Sequence, residues 1–156
     1  MIDIIAKAVD TRAARLSNFT DRPFVLDSIQ CAGLEGIIQA LKSPDVAIQR
    51  EICSLSGKAA KRLGSTLNWR DSYLLWWGTQ PYSRFGREYF DLITRIYDTV
   101  YSQDPSFKAD LLAIGYEDIQ HSIGNTDMRE TVLTEIEMIH QLNRLRIRAM
   151  RDRSGC

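Results

Sequence analysis

"LEGIIQALK", residues 34 to 42, decides how the rest of the chain is read. Leu34, Ile37, Ile38 and Leu41 recur at i, i+3, i+4 and i+7, the spacing of one apolar helix face. Glu35, Gln39 and Lys42 recur at i, i+4 and i+7 on the other face. The plain reading of such a face is a solvated one carrying charges of both signs. A carboxylate and an amine two turns apart also suit acid–base or Schiff-base chemistry, provided the face is enclosed. Periodicity leaves both readings open, so the surroundings must decide.

Upstream, "FVLDSIQCA" (24–32) places two β-prone runs around Asp27-Ser28 and predicts a small hairpin. "MIDIIAK" opens with a short strand, and the polar, interrupted "TRAARLSNFTDRP" (11–23) reads as a loop able to carry function. Downstream, Ser43-Pro44 ends the first helix and starts another, with Ser43 as its cap and Pro44 in its first turn. That helix runs through "DVAIQREICSLSG", followed by "GKAAKRLG" (57–64), a short basic segment between glycines. Tyr89, Ile93, Ile96, Tyr97 and Val100 predict an amphipathic helix, Pro105 opens the next, and Gly115 stops it. A long helix is expected from about Arg129 to Arg151. Strand signals are few. The expected fold class is α+β, mainly helical with a small β element, in one domain over residues 1–156.

Composition narrows the function classes. In 156 residues, 44% are hydrophobic and 26% charged, which is ordinary for a globular chain able to bury a core. Twenty basic residues balance twenty acidic ones, so overall charge points to neither a polyanion nor a membrane partner. The three cysteines, Cys31, Cys53 and Cys156, form no CxxC pair, and a reducing, cytoplasmic setting fits them. No apolar run approaches the ~20 residues of a membrane span, and "MIDIIAKAVD" does not read as a signal peptide. There is no Walker loop, GxGxxG, nucleophile elbow or metal-ligand spacing.

Three further groups carry alternatives. "HSIGNTDMRETVLTE" (121–135) crowds His121, Ser122, Asn125, Asp127, Arg129, Thr131, Thr134 and Glu135 together. It reads as a binding loop, or as the cap of the last helix at Thr126 or Asp127 with Glu130 completing a capping box. Trp69, Trp76 and Trp77 supply core area or a surface on which a base stacks. Arg144, Arg146, Arg148, Arg151 and Arg153 make a solvated helix end suited to the macrodipole, or a phosphate contact.

In order along the chain, "LSNF" (16–19), "PFVLD" (23–27), "LEGIIQALK", "GKAAKRLG", "LLWWG" (74–78), "LLAIG" (111–115) and "HSIGNTDMRETVLTE" resemble the NADAR superfamily, which includes the YbiA-like riboflavin-intermediate N-glycosidases. The resemblance spans about residues 12 to 148. It implies a compact α+β enzyme, an N-glycosidase that breaks a bond between ribose C1 and an amine nitrogen. Its substrate would be a nucleotide or ADP-ribose derivative: a phosphoribosylamino-pyrimidine, or ADP-ribosylated guanine within DNA or RNA. No cofactor, metal or membrane is implied.

Matched motif by motif, Glu35 would be the acid–base carboxylate, and Lys42 would attack the opened sugar as a neutral amine. Asn18 and Phe19 match the "SNF" that lines the pocket, with Gln39 beside them. Trp69 or Trp77 would stack on the base, and Asp127 stands near the late aspartate. The chain departs from the pattern at Gly36, where many members have histidine, and in the late segment, which lacks their tryptophan. It therefore resembles a divergent branch in which His121, Ser122 and Asp127 replace the lost contacts. The alternative reading is a non-catalytic binder of ADP-ribose or nucleotide derivatives.

Overall fold

The computed structural model describes residues 1–155, so the third cysteine, Cys156, lies outside the described residues. The elements run β1 (Ile2–Asp3), α1 (Thr11–Leu16), β2 (Phe24–Leu26), β3 (Ile29–Cys31), α2 (Leu34–Ala40), α3 (Val46–Cys53), α4 (Gly57–Gly64), β4 (Leu74–Trp77), β5 (Gln80–Ser83), α5 (Arg87–Gln103), α6 (Pro105–Ala113), β6 (Ile119–Gln120) and α7 (Glu135–Arg153). This is the expected α+β architecture, mainly helical.

The strands pair two by two. β2 and β3 are antiparallel with Leu26 opposite Ile29, so the loop is the two residues Asp27 and Ser28. Both have positive φ, +50° and +66°, as a tight hairpin turn of this length requires. β4 and β5 form a second hairpin, and β1 pairs in parallel with β6, Ile2 opposite Ile119.

One hydrophobic core joins these parts. Ile37 and Leu41 of the opening stretch, Ile52, Leu75, Ile93, Ile96, Leu111, Leu142 and Leu145 are all at most 1% exposed. Burying an aliphatic side chain of this size contributes about 1.5–3 kcal/mol relative to leaving it in water. The predicted apolar face of α5 is buried throughout: Tyr89, Ile93, Ile96, Tyr97 and Val100. α7 turns Met138, Leu142, Leu145 and Ala149 inward.

α2 is deeply enclosed: every residue from Leu34 to Ala40 is buried. It packs at its Gly36 on the carbonyls at the end of α3 and just beyond it. A Cβ there would lie 2.4 Å from the Leu55 carbonyl oxygen and 3.0 Å from that of Ile52. Backbone stands where a histidine side chain would have to go, which accounts for the departure at this position.

Three local expectations are corrected, and the basic segment between glycines gains an element. Residues 11–16 are not loop but a short helix, with Asp10 accepting from the Arg12 amide at 2.9 Å and Ala13 and Leu16 buried. α3 is capped by Asp45, whose carboxylate accepts from Ala47 and Ile48, while Ser43 Oγ accepts from the Asp45 amide. "GKAAKRLG" is itself a helix, α4. α7 begins at Glu135, not near Arg129. Its capping box pairs Thr134 with Glu137, and Asp127 instead accepts from its own neighbour, the Arg129 amide.

The arginines of the last helix are spent mainly on the fold. Arg144 meets Asp98 at 2.7 Å, Arg146 donates to the carbonyls of Gly115 and Glu117, and Arg148 lies over the Tyr101 ring. No helix among the described residues is long and apolar enough to cross a membrane.

Candidate functional site

Beside the polar face of α2 lies a cavity of about 410 Å³. Glu35, Gln39 and Lys42 form one wall, Asn18 and Phe19 a second, and Leu67, Trp69 and Arg70 a third. His121, Asn125 and the segment Thr131–Leu133 close it from the late loop. The second face of the opening stretch is therefore an enclosed wall: Glu35 is 8% exposed and Gln39 6%.

The chain reaches this arrangement through local bonds. The Glu35 amide donates to the Asn18 carbonyl at 3.1 Å, tying the start of α2 to the segment after α1. Tyr97, fully buried on α5, donates its hydroxyl to Asn18 Oδ1 at 2.9 Å, which leaves the amide's N–H groups for the cavity. His121 follows β6, whose pairing with β1 sets its ring beside the Ile4 carbonyl, 2.5 Å from Nδ1. A carbonyl only accepts, so Nδ1 carries a proton in this contact. Gly124 leaves space for that ring, since a Cβ there would come within 2.5 Å of its Cδ2.

Burial pushes the Glu35 carboxyl above its ordinary value. The Gln39 hydrogen bond and the charges of Lys61, Lys42 and His121 oppose the shift without cancelling it. Burial pulls the Lys42 ammonium down; Glu35 opposes this, and Arg70 and Lys61 reinforce it. Lys42 Nζ makes no hydrogen bond or ion pair with a described residue. A carboxyl that burial biases toward its protonated form thus stands two turns from an amine that burial biases toward its neutral form, which is the pairing that proton transfer and imine chemistry require.

Of the residues singled out from sequence, Glu35, Lys42, Asn18, Phe19, Gln39, Trp69 and His121 line this cavity. Three do not. Trp77 is buried elsewhere, its indole donating to Asp27 at 2.7 Å beside a separate cavity of about 250 Å³. Ser122 turns away and donates both its amide and its hydroxyl to Asp3. Asp127 is held by Arg129, at 3.1 Å.

Lys61 and Arg70 were not legible as site residues. Lys61 reaches the cavity from α4, 5.8 Å from the Phe19 ring, and Arg70 lies over the Trp69 ring at 5.7 Å. One signal for Lys61 was present. Gly57, Ala60 and Gly64 are small residues at i, i+3 and i+7, and Lys61 shares their helix face. Among the described residues, no group of three or more His, Cys, Asp or Glu side chains is placed to hold a metal ion.

The family model described as Bacteriophage protein GP30.3 matches residues 10–147. An uncharacterised 17.1 kDa protein of Enterobacteria phage T4, from the Gp30-rIII intergenic region, is 40% identical over 133 residues. That match spans 84% of this chain and 88% of the relative. The chain belongs to this bacteriophage GP30.3 family. Its fold is that of the Escherichia coli protein YbiA, as the NADAR resemblance implied. The NMR structure of YbiA superimposes with a TM-score of 0.64 at 16% identity, over 99% of this chain and 88% of that one.

Proposed function

We propose that this protein is an N-glycosidase that hydrolyses the bond between ribose C1 and an amine nitrogen in a nucleotide-like substrate. One observation carries the reading: a buried Glu35 and an unpaired Lys42 open on the same cavity, which Trp69 walls on another side. Trp69 offers an aromatic surface to a base. Lys61 and Arg70 bring two cations to the site, Arg70 being shared with Glu130 at 3.6 Å, which favours a phosphate-bearing ligand. Phosphoribosylamino-pyrimidines and ADP-ribosylated guanine in DNA or RNA both have this chemistry.

Protonated Glu35, the form that burial favours, donates its proton to the ribose ring oxygen as the ring C1–O bond opens to a C1–nitrogen iminium. Neutral Lys42 Nζ adds to C1. A proton passes from Lys42 to the substrate nitrogen, and the base departs as a neutral amine, leaving C1 doubly bonded to Nζ. Water adds to C1 with its proton taken by Glu35, and collapse to the sugar aldehyde frees Lys42. The first two steps use Glu35 and Lys42 in the forms toward which burial biases them, and the hydrolysis step returns the proton to Glu35.

The test is incubation with both substrate types, with Glu35→Gln and Lys42→Met alongside and borohydride added to trap an adduct. Base release by the wild type, a reduced sugar on Lys42 read by mass spectrometry, and loss of release in both variants are expected. Folded protein that releases no base from either substrate overturns the glycosidase. A ligand that binds by calorimetry and is recovered intact makes the cavity a binding site only.

A further inference from the structure

Gln39 donates Nε2 to Glu35 Oε1 at 2.8 Å, both side chains being buried. It is the one described residue that hydrogen-bonds this carboxyl. Its other end is anomalous: among the described residues, Gln39 Oε1 is the one buried side-chain nitrogen or oxygen without a partner. Buried carbonyls are nearly always paired, so an orphan on a site residue calls for a reason. Gly64 of α4 lies against that end. A Cβ at position 64 would meet Oε1 at 2.1 Å and the Gln39 Cβ and Cδ at 2.8 Å.

A carboxyl that acts first as acid and then as base must exist in both forms. As a carboxylate it accepts, and Nε2 is the partner it needs. With the proton on its Oε1 it donates, and the same amide nitrogen is then the wrong partner. An amide engaged at both ends resists turning because it would lose the second bond. Gln39 has no second bond to lose, and the end that would turn faces Gly64, which carries no side chain to block it.

We infer that Gln39 is a positioning residue that turns its amide end for end as Glu35 gains or loses its proton, holding the carboxyl in one place in both states. Other charged or titratable groups act on Glu35 from several sides. Lys42 follows on its own element, Lys61 comes from α4, His121 from beyond β6, and Tyr97 from α5 through its contact with Asn18. These groups set where Glu35 titrates; Gln39 keeps the oxygen aimed while it does. The inference rests on Glu35 being the proton-transferring carboxyl of the proposed reaction. Its test nevertheless reads the side chains directly, so an inactive protein can pass it and an active one can fail it.

The experiment is NMR of the isotope-labelled full chain over a pH series, following the Glu35 side-chain carboxyl carbon and the nuclear Overhauser effect between the Gln39 amide protons and the Gly64 α-protons. Above the Glu35 midpoint the amide protons face Glu35 and the cross-peak is weak. Below it they face Gly64, and the cross-peak grows severalfold with the same midpoint. Gln39→Met, of similar volume, removes the cross-peak and confirms its assignment. A cross-peak that stays constant through the Glu35 transition, or a Glu35 carbon that shows no transition between pH 4 and 9 (about the range in which a shifted carboxyl titrates), overturns the inference.

Discussion

The guanidinium of Arg84 meets the carboxylate of Glu137 through two hydrogen bonds, of 2.6 and 3.1 Å, in a place where Arg84 is 1% exposed. Arg84 Nε also donates to the Thr131 carbonyl at 2.9 Å, and Glu137 accepts from the Thr134 amide as half of the capping box. Tyr89 adds a hydroxyl to the Val132 carbonyl at 2.5 Å. The ion pair thus holds residues 131–134, of which Thr131, Val132 and Leu133 line the cavity, to the start of α7. Removing one partner of a buried pair costs about 3–5 kcal/mol, because the other is left without compensation. Arg84→Met should lower the urea midpoint by that order and weaken ligand binding in calorimetry, and adding Glu137→Met should recover part of the stability.

Glu35 should reveal itself in the pH dependence of stability. Its folded pKa is raised above the ordinary 4.5, so the folded state holds the proton more tightly than the unfolded state. That contribution is fully present below about pH 4.5 and is lost as pH rises through the folded value. Glu35→Gln lacks the ionisation. Its stability relative to wild type should therefore increase across this window, as read from urea unfolding at several pH values. Its base release should fall by on the order of 10²–10⁴-fold, the usual weight of a positioned acid–base group.

Lys42 has the opposite sign. Its folded pKa is depressed below the ordinary 10.5, so its contribution is present above 10.5 and lost as pH falls through the folded value. At neutral pH, below the ordinary value, the wild type therefore bears the cost of half-burying this titratable amine. Lys42→Met should unfold at higher urea than wild type at pH 7, with the difference shrinking as pH approaches 10.5. A variant that matches wild type at every pH would show that the ammonium is freely hydrated.

Gly36 should tolerate no side chain. Alanine gains about 1 kcal/mol in helix propensity over glycine, but its Cβ would press on the carbonyls of Leu55 and Ile52, which are backbone and cannot swing aside. A net loss of about 1–3 kcal/mol is expected for Gly36→Ala. Gly36→His should fail to fold, as near-ultraviolet circular dichroism would show.

The α2 stripe, the Asp27-Ser28 hairpin and the α5 face were legible because each is a local pattern with a short-range physical cause. The start of α7 was not. Asp127-x-x-Glu130 and Thr134-x-x-Glu137 have the same spacing, and what separates them is Arg84, far away in sequence, binding Glu137. Trp69 and Trp77 likewise sit in similar aromatic surroundings; one ends as cavity wall and the other as a partner of Asp27, itself bound to Arg95. Lys61 and Arg70 reach the cavity only through how α4 and the segment before β4 pack. Ser122 had a plausible loop position but is claimed by Asp3, at the far end of the chain. Which side chains meet was thus set by long-range partners, while which segments are regular was set locally.

That α2 is buried at every position has a practical meaning for mutational scanning. A saturation library across residues 34–40 should return one unbroken block of intolerant positions, in which loss of the fold and loss of chemistry look alike. Abundance and activity would have to be measured separately, and same-size replacements such as Glu35→Gln would be the informative members of the library. A helix with no outward side gives selection no free position at which to drift.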